Sequence, residues 1–256
     1  MFRSLVVAFT DGQVGPEIPI LYQDREICII DKPKNLFVHK NQTDKSAPDC
    51  VTILSKTFGF QVLNVHRIDR PTSGIVVFAL TRESAAELSR QLRQELMDKR
   101  YLALVRGHIR SGVEIDHPVP KSKHGERTDA RSSVHPIATS IVREPVGRYD
   151  EGWFTLAEIR LHTGRYHQAR RHLRSIGHPV VGDSAYGDPA QNAFFRTKYG
   201  EGGLFLRAHQ LRFTHPATGA RLCATAGLPR WWRQVMDSAG FSVLDSLADL
   251  PSIETC

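Results

Sequence analysis

The chain has little with which to build metal or disulfide chemistry. Its 256 residues include only four cysteines, Cys28, Cys50, Cys223 and Cys256, all far apart and none in a C-x-x-C pair. Neither a zinc site nor a disulfide framework follows from such spacing, and a reducing cytoplasm suits it. No apolar run approaches the length that spans a bilayer. The first such run, Leu5 to Phe9, is too short for a secretory core and is closed by Asp11. There is no G-x-x-x-x-G-K, no G-x-G-x-x-G and no G-x-S-x-G, so phosphate-loop, dinucleotide and serine-hydrolase readings have no support. Acid is missing from one long window. Between Arg160 and His178 stand five arginines and four histidines and not one Asp or Glu.

What is present is an ordinary globular composition with a basic balance. Hydrophobic residues make up 41% and charged residues 24%, and the formal net charge is +7. The length fits one large domain or two small ones. A basic excess suits a polyanionic partner, most of all where it is clustered. Residues 160–178 supply such a cluster. Arginines at a helix start beside the Thr163-Gly164 turn suit phosphate, through guanidinium forks and free backbone N–H groups. The histidines do not suit metal: His162, His167 and His172 recur at five, whereas a shared helix face needs three or four.

Along the chain, residues 1–19 read as an N-terminal extension with one short strand. Residues 20–30 read as two short strands about a polar turn, and 51–58 as a short helix. The run Ile75 to Leu80 is a buried strand. Thr81 is an N-cap for an amphipathic helix over 82–98, followed by a strand over 99–107. Residues 118–136 hold prolines, charges and serines and read as a long, basic, mobile loop. Strands over 137–143 and 153–162 come next, then a helix ending near Ile176 with Gly177 as its cap. Phe205 to Phe213 and Leu222 to Thr225 are strands joined by a turn, and 230–238 is a last helix. Residues 241–256 read as a tail. Many short strands with two or three helices and no βαβ alternation predict an α+β chain built on a mostly antiparallel sheet.

One nonamer stands out, His66-Arg67-Ile68-Asp69-Arg70-Pro71-Thr72-Ser73-Gly74, directly before that buried strand. It puts a carboxylate between two arginines on a loop at a strand mouth, where a rigid scaffold positions side chains for chemistry. A lone carboxylate serves as nucleophile or base, and neighbouring arginine favours its charged form. Tyr101, between basic residues and a strand, offers a face on which a base can stack.

These stretches resemble the RluA-type pseudouridine synthases. The family's H-R-L-D-R-x-T-S-G matches His66 to Gly74, with Ile68 for Leu; K-x-Y-x-A-L-V matches Lys99 to Val105; T-G-R-x-H-Q-x-R-x-H-L matches Thr163 to Leu173; and G-H-P-x-x-G-D matches Gly177 to Asp183. The resemblance covers roughly residues 20–230, with Ala169 in place of a branched residue and Arg207 where His is frequent. It implies the pseudouridine synthase fold, a mixed, mostly antiparallel sheet with a central cleft and few flanking helices, over 20–240, with no S4-type RNA-binding domain ahead of it. It implies Asp69 as the catalytic aspartate, Tyr101 as the tyrosine packed on the uracil, and Arg170 as the arginine paired with the aspartate. His66, Arg67, Arg70, Thr72, Arg165, His167, Gln168 and Leu206 fall to substrate binding. No metal, redox cofactor or ATP is implied. The expected partner is RNA, bound by a monomer in the cytoplasm. The R-R-H-L ending at Arg170 to Leu173 and Gly187 to Asn192 look most like the tRNA-directed subgroup, whose target is uridine 65. An rRNA-directed enzyme of the same family and a non-catalytic RNA-binding protein are the alternatives.

Overall fold

The computed structural model describes residues 6–7, 17–40, 47–241 and 251–255. The chain divides into two compact units. Met1–Asp98, Ala208–Ala226 and Leu250–Cys256 form the first; Lys99–Arg207 and Gly227–Asp249 form the second.

In the first unit β1 (Val6–Val7), β2 (Ile18–Gln23), β3 (Ile27–Lys32) and β5 (Ser73–Ala79) pair antiparallel in that order, and β4 (Leu63–Asn64) adds to β5. Beside β5 runs β12 (Leu206–Thr214), from Ala208 onward part of this unit; β13 (Arg221–Thr225) and β14 (Ser252–Thr255) follow it. Every residue of β5 is buried, as its unbroken apolar run requires. Ile27, Ile29, Val77, Leu88 and Phe213 meet in one core. Asp49 caps α1 (Cys50–Phe58) by accepting from Thr52 N, and Thr81 caps α2 (Arg82–Arg93) by accepting from Ser84 N.

Two expectations change here. Helix α2 stops at Arg93 rather than 98, because Glu95 turns left-handed at φ 56° and Leu96 N turns back to Gln91 O. The apolar periodicity thus outlasts the helix: Leu96 ends up 47% exposed. The tail is not all tail, since Ser252–Thr255 pairs with β13. Most of the N-terminal extension and of the polar loop at 40–50 lies outside the described residues.

In the second unit β7 (Val113–Asp116), β10 (Arg131–Val142), β11 (Gly152–Leu161) and β6 (Asp98–Arg106, from Lys99 onward part of this unit) pair antiparallel in that order. Helices α3 (Gln168–Ser175), α4 (Pro189–Tyr199) and α5 (Arg230–Ser238) complete it. Leu104, Phe154, Phe195, Phe205 and Trp232 are central to its core.

The expected long loop at 118–136 is instead a small hairpin, β8 (Val119–Pro120) with β9 (Arg127–Thr128), followed by the start of β10 at Arg131. Pro136 misled the reading. It lacks an N–H, and the strand accommodates it with a register shift between Pro136 and Ala138 rather than ending. Five helices stand among the described residues rather than two or three. The overlooked one, α4, carried its signals in the sequence: Asp188 at the N-cap, Pro189 at the first turn and Gly200 past the end, left-handed at φ 70°.

Gly74 fixes the start of β5. Its φ is +113°, and a Cβ there would stand 2.1 Å from the Ala208 carbonyl oxygen. Gly200, at φ +70°, would meet nothing within 4 Å. Gly74→Ala should therefore cost on the order of 3 kcal/mol or more, against about 1 kcal/mol for Gly200→Ala. Urea unfolding of both variants checks this; equal costs would contradict the close approach.

Candidate active site

Asp69 sits half-buried on a turn closed by Thr72 N donating to Asp69 O at 3.1 Å. The turn is fastened from three sides. The Lys32 ammonium, fully buried at the end of β3, donates to the carbonyls of Pro33 and Leu36, each at 2.8 Å, and of Arg70 at 3.1 Å. Burial pushes Lys32 down to about 8, with the Cys50, Asp69 and Asp31 side chains acting against it. His66 Nε2 accepts from Val77 N at 3.1 Å and ties the loop to β5. Arg70 donates through Nε to Asn35 O at 3.1 Å and lies over the Phe37 ring. So the carboxylate is carried by a short stiff loop, as catalysis by a positioned group requires.

Of the residues expected to touch substrate here, Arg67 and Arg70 are exposed. Thr72 is 1% exposed, its Oγ1 without a hydrogen-bond partner among the described residues. The Val77 contact gives His66 architectural work. Lys32 was missed altogether, since nothing local says which carbonyls a buried lysine will collect.

The second unit holds Tyr101, Arg170, Arg165, His167, Gln168 and Leu206. Tyr101 is half-buried on β6, opposite Ile159 of β11. Leu206 is buried at the start of β12. Arg170 is 4% exposed on α3 and forks onto Asp183, itself 1% exposed, through Nε and Nη2, both at 2.7 Å. Asp183 also accepts from Ala185 N and Tyr186 N. Burial works against its ionised form, but the Arg170 fork and those two N–H groups outweigh it and hold the carboxyl below the usual range. The Arg170 guanidinium lies 5.1 Å from the centroid of the Tyr186 ring.

Gln168 turns out to be a tie-point. It is 2% exposed, and its side chain accepts from Thr163 Oγ1 and Arg165 N and donates to Arg131 O and Ser132 Oγ. That is its full hydrogen-bonding capacity, so as it stands it has none left for substrate. The buried His172 bonds Ser132 Oγ and His117 O, and Arg165 Nε donates to Asp129 O. These contacts staple the start of α3 to the base of the β8–β9 hairpin. Desolvation lowers the His172 pKa, which suits a neutral ring in that role. His167, left-handed at φ 54°, opens α3, stacks on Tyr166 with ring centroids 3.7 Å apart, and pairs through Nδ1 with the Tyr186 hydroxyl at 3.1 Å. No group of three or more His, Cys, Asp or Glu among the described residues could hold a metal ion.

The fold is one already seen in solved structures. Human RNA Pseudouridylate Synthase Domain Containing 1 superposes with a TM-score of 0.67 at 21% identity, over 91% of this chain and 89% of that one. Human RNA Pseudouridylate Synthase Domain Containing 4 gives 0.66 at 23%, over 87% and 93%. Sequence goes further. The profile of the RNA pseudouridylate synthase family matches residues 26–175, which span β3 to α3 and so include Asp69, Tyr101 and Arg170. The chain is 34% identical over 235 residues to tRNA pseudouridine synthase C of Haemophilus influenzae, covering 88% of this chain and 98% of the relative. It is 35% identical over 230 residues to the protein of that name from Vibrio parahaemolyticus, covering 86% and 94%. The chain belongs to the RNA pseudouridylate synthase family. It is an isomerase acting on RNA.

Asp183→Asn breaks the buried fork on one side, which costs about 3–5 kcal/mol near neutral pH. The folded carboxyl lies below its ordinary 3.8, so the stability it contributes is present above that value and is lost as pH falls through the folded value. The gap in unfolding free energy between wild type and Asp183→Asn should therefore be full at pH 7 and shrink at the acid limit. Urea titrations at both ends check it; a gap independent of pH would contradict the ionised fork.

Proposed function

We propose that the chain converts one uridine of tRNA to pseudouridine, at position 65, with Asp69 as the catalytic carboxylate. The observation that carries the reading is the fastened turn. A carboxylate stands on a stiff loop at the mouth of a wholly buried strand, inside a nine-residue motif match to the family. The tRNA target rests on relatives named for tRNA, similar over almost their full length.

The reaction is redox-neutral. The N1–C1′ bond breaks, the uracil turns, C5 joins C1′, the C5 proton leaves to solvent and N1 takes one up. No electron acceptor or phosphoryl donor enters that balance. Attack on the sugar, attack on the base and removal of a sugar proton all begin from an ionised carboxylate. Tyr101 supplies the ring against which the uracil packs, Leu206 an apolar contact, and Arg170 the positive charge that the family resemblance pairs with the aspartate. A paired uridine must first leave its stack, at a cost of a few kcal/mol. The β8–β9 hairpin, with Lys121, Lys123, His124 and Arg127 exposed, and the basic start of α3 hold the flanking backbone and offset that cost. No helix among the described residues is long and apolar enough to cross a membrane. In this reading the chain works as a monomer in the cytoplasm, where its substrate is.

Asp69→Asn should abolish isomerisation while leaving tRNA affinity within about three-fold, since a neutral isostere keeps the turn and removes only the charge. Tritium release from tRNA labelled at uridine C5 reads turnover, and filter binding reads affinity. Measurable release by the purified variant would sink the assignment. Release from rRNA transcripts but not from tRNA would move the target and leave the chemistry in place.

A further inference from the structure

Arg170 and Arg171 are neighbours on α3 but meet different surroundings. Arg170 forks onto the Asp183 carboxylate. Arg171 points about 100° away around the helix, and no carboxylate pairs with it among the described residues. Its Nε is buried and has no hydrogen-bond partner among the described residues. Two tyrosines hold the guanidinium: its carbon lies 5.0 Å from the Tyr186 ring centroid and 5.8 Å from that of Tyr166, and the Arg171 side chain also hydrogen-bonds that of Tyr186. Such rings attract a cation and fix its position without neutralising it.

The aromatic frame is itself built. Tyr166 stacks on His167, and His167 pairs with the Tyr186 hydroxyl. The chain accepts a left-handed backbone at His167, φ 54°, to arrange them. Strain at a non-glycine residue persists where surrounding contacts demand it, and it clusters at ligand sites. Arg174, exposed, lies three residues on along the same helix face, and residues 160–178 contain no acid. Two like charges thus share one face, one of them held against two rings, in a stretch without acid.

We propose that Arg171, framed by Tyr166 and Tyr186, is a seat for a backbone phosphodiester of the RNA substrate. The inference rests on the reading that this chain acts on RNA and deepens it by naming a residue that takes one of its phosphates. A guanidinium fork matches phosphate, and this one is already held against two rings, so little ordering remains to be done on binding. A free phosphate group presents the same oxygens, and the experiment separates the two sources.

The test measures binding of a tRNA transcript by the full chain against salt, in the Asp69→Asn background, for Arg171, Arg171→Gln and Arg171→Lys. Arg171→Gln should lower the log–log slope by about 0.7–0.9, one released counterion, and weaken binding about ten-fold. Arg171→Lys should keep the slope, because the charge remains. With Asp69 intact, Arg171→Gln should raise KM about ten-fold and change kcat less than three-fold. A steep parent slope left unchanged by Arg171→Gln overturns the seat alone. A flat parent slope overturns the RNA reading and the seat with it. Loss of slope in Arg171→Lys also overturns it, since a packing role would then explain both variants, and this arm stands if Arg171→Gln fails to fold. Inorganic phosphate that raises the Tm of the parent but not of Arg171→Gln, with the RNA slope unchanged, would assign the site to a small anion and overturn the proposal.

Discussion

A buried guanidinium needs a counter-charge, and the second unit is arranged around that need. Arg170 is fixed in both position and plane by its two bonds to Asp183. Asp183 is fixed in turn by the N–H groups of Ala185 and Tyr186, which sets the turn that brings the Tyr186 ring against α3. Removing a partner from such a pair costs far more than making the pair contributes, so neither residue can drift independently. The first unit repeats the device with another cation. Lys32, fully buried, gathers three carbonyls and holds the turn that bears Asp69. In both cases charge taken out of water is converted into placement of a functional side chain.

What could be read from the sequence was whatever has a local cause. The buried run after Gly74 became β5, Thr81 became the cap of α2, and Trp231, Trp232 and Val235 lie on α5. Caps and apolar runs act within one turn or one strand, so they show in a short window. The Arg170–Asp183 fork joins residues 13 apart and shows in no window. Gln168 was assigned to substrate because its motif neighbours were; only the fold reveals that Arg131 and Ser132 take its amide. The hairpin at 119–128 was read as loop for the same reason. Its residues are loop-like by composition, and it is held by His117, Asp129 and Arg131 meeting side chains from α3 and from the turn before it.

The basic character of the chain is thus put to two uses. Some cations are spent internally: Lys32 on carbonyls, Arg170 on Asp183, Arg100 on Glu158. Others, at the tip of the β8–β9 hairpin and along α3, remain at the surface. Only the second group is available to phosphates, so net charge alone overstates the RNA-facing surface, and the distribution decides.

The central claim is that this chain makes one pseudouridine in tRNA and that Asp69 makes it. Carbodiimide modification and primer extension on tRNA, from cells lacking the protein and re-supplied with wild type or Asp69→Asn, test both halves at once. A stop at uridine 65 that vanishes without the protein, returns with wild type and stays absent with Asp69→Asn is the predicted result. A stop at 65 restored by Asp69→Asn, or a tRNA pattern indifferent to the protein, would contradict the account.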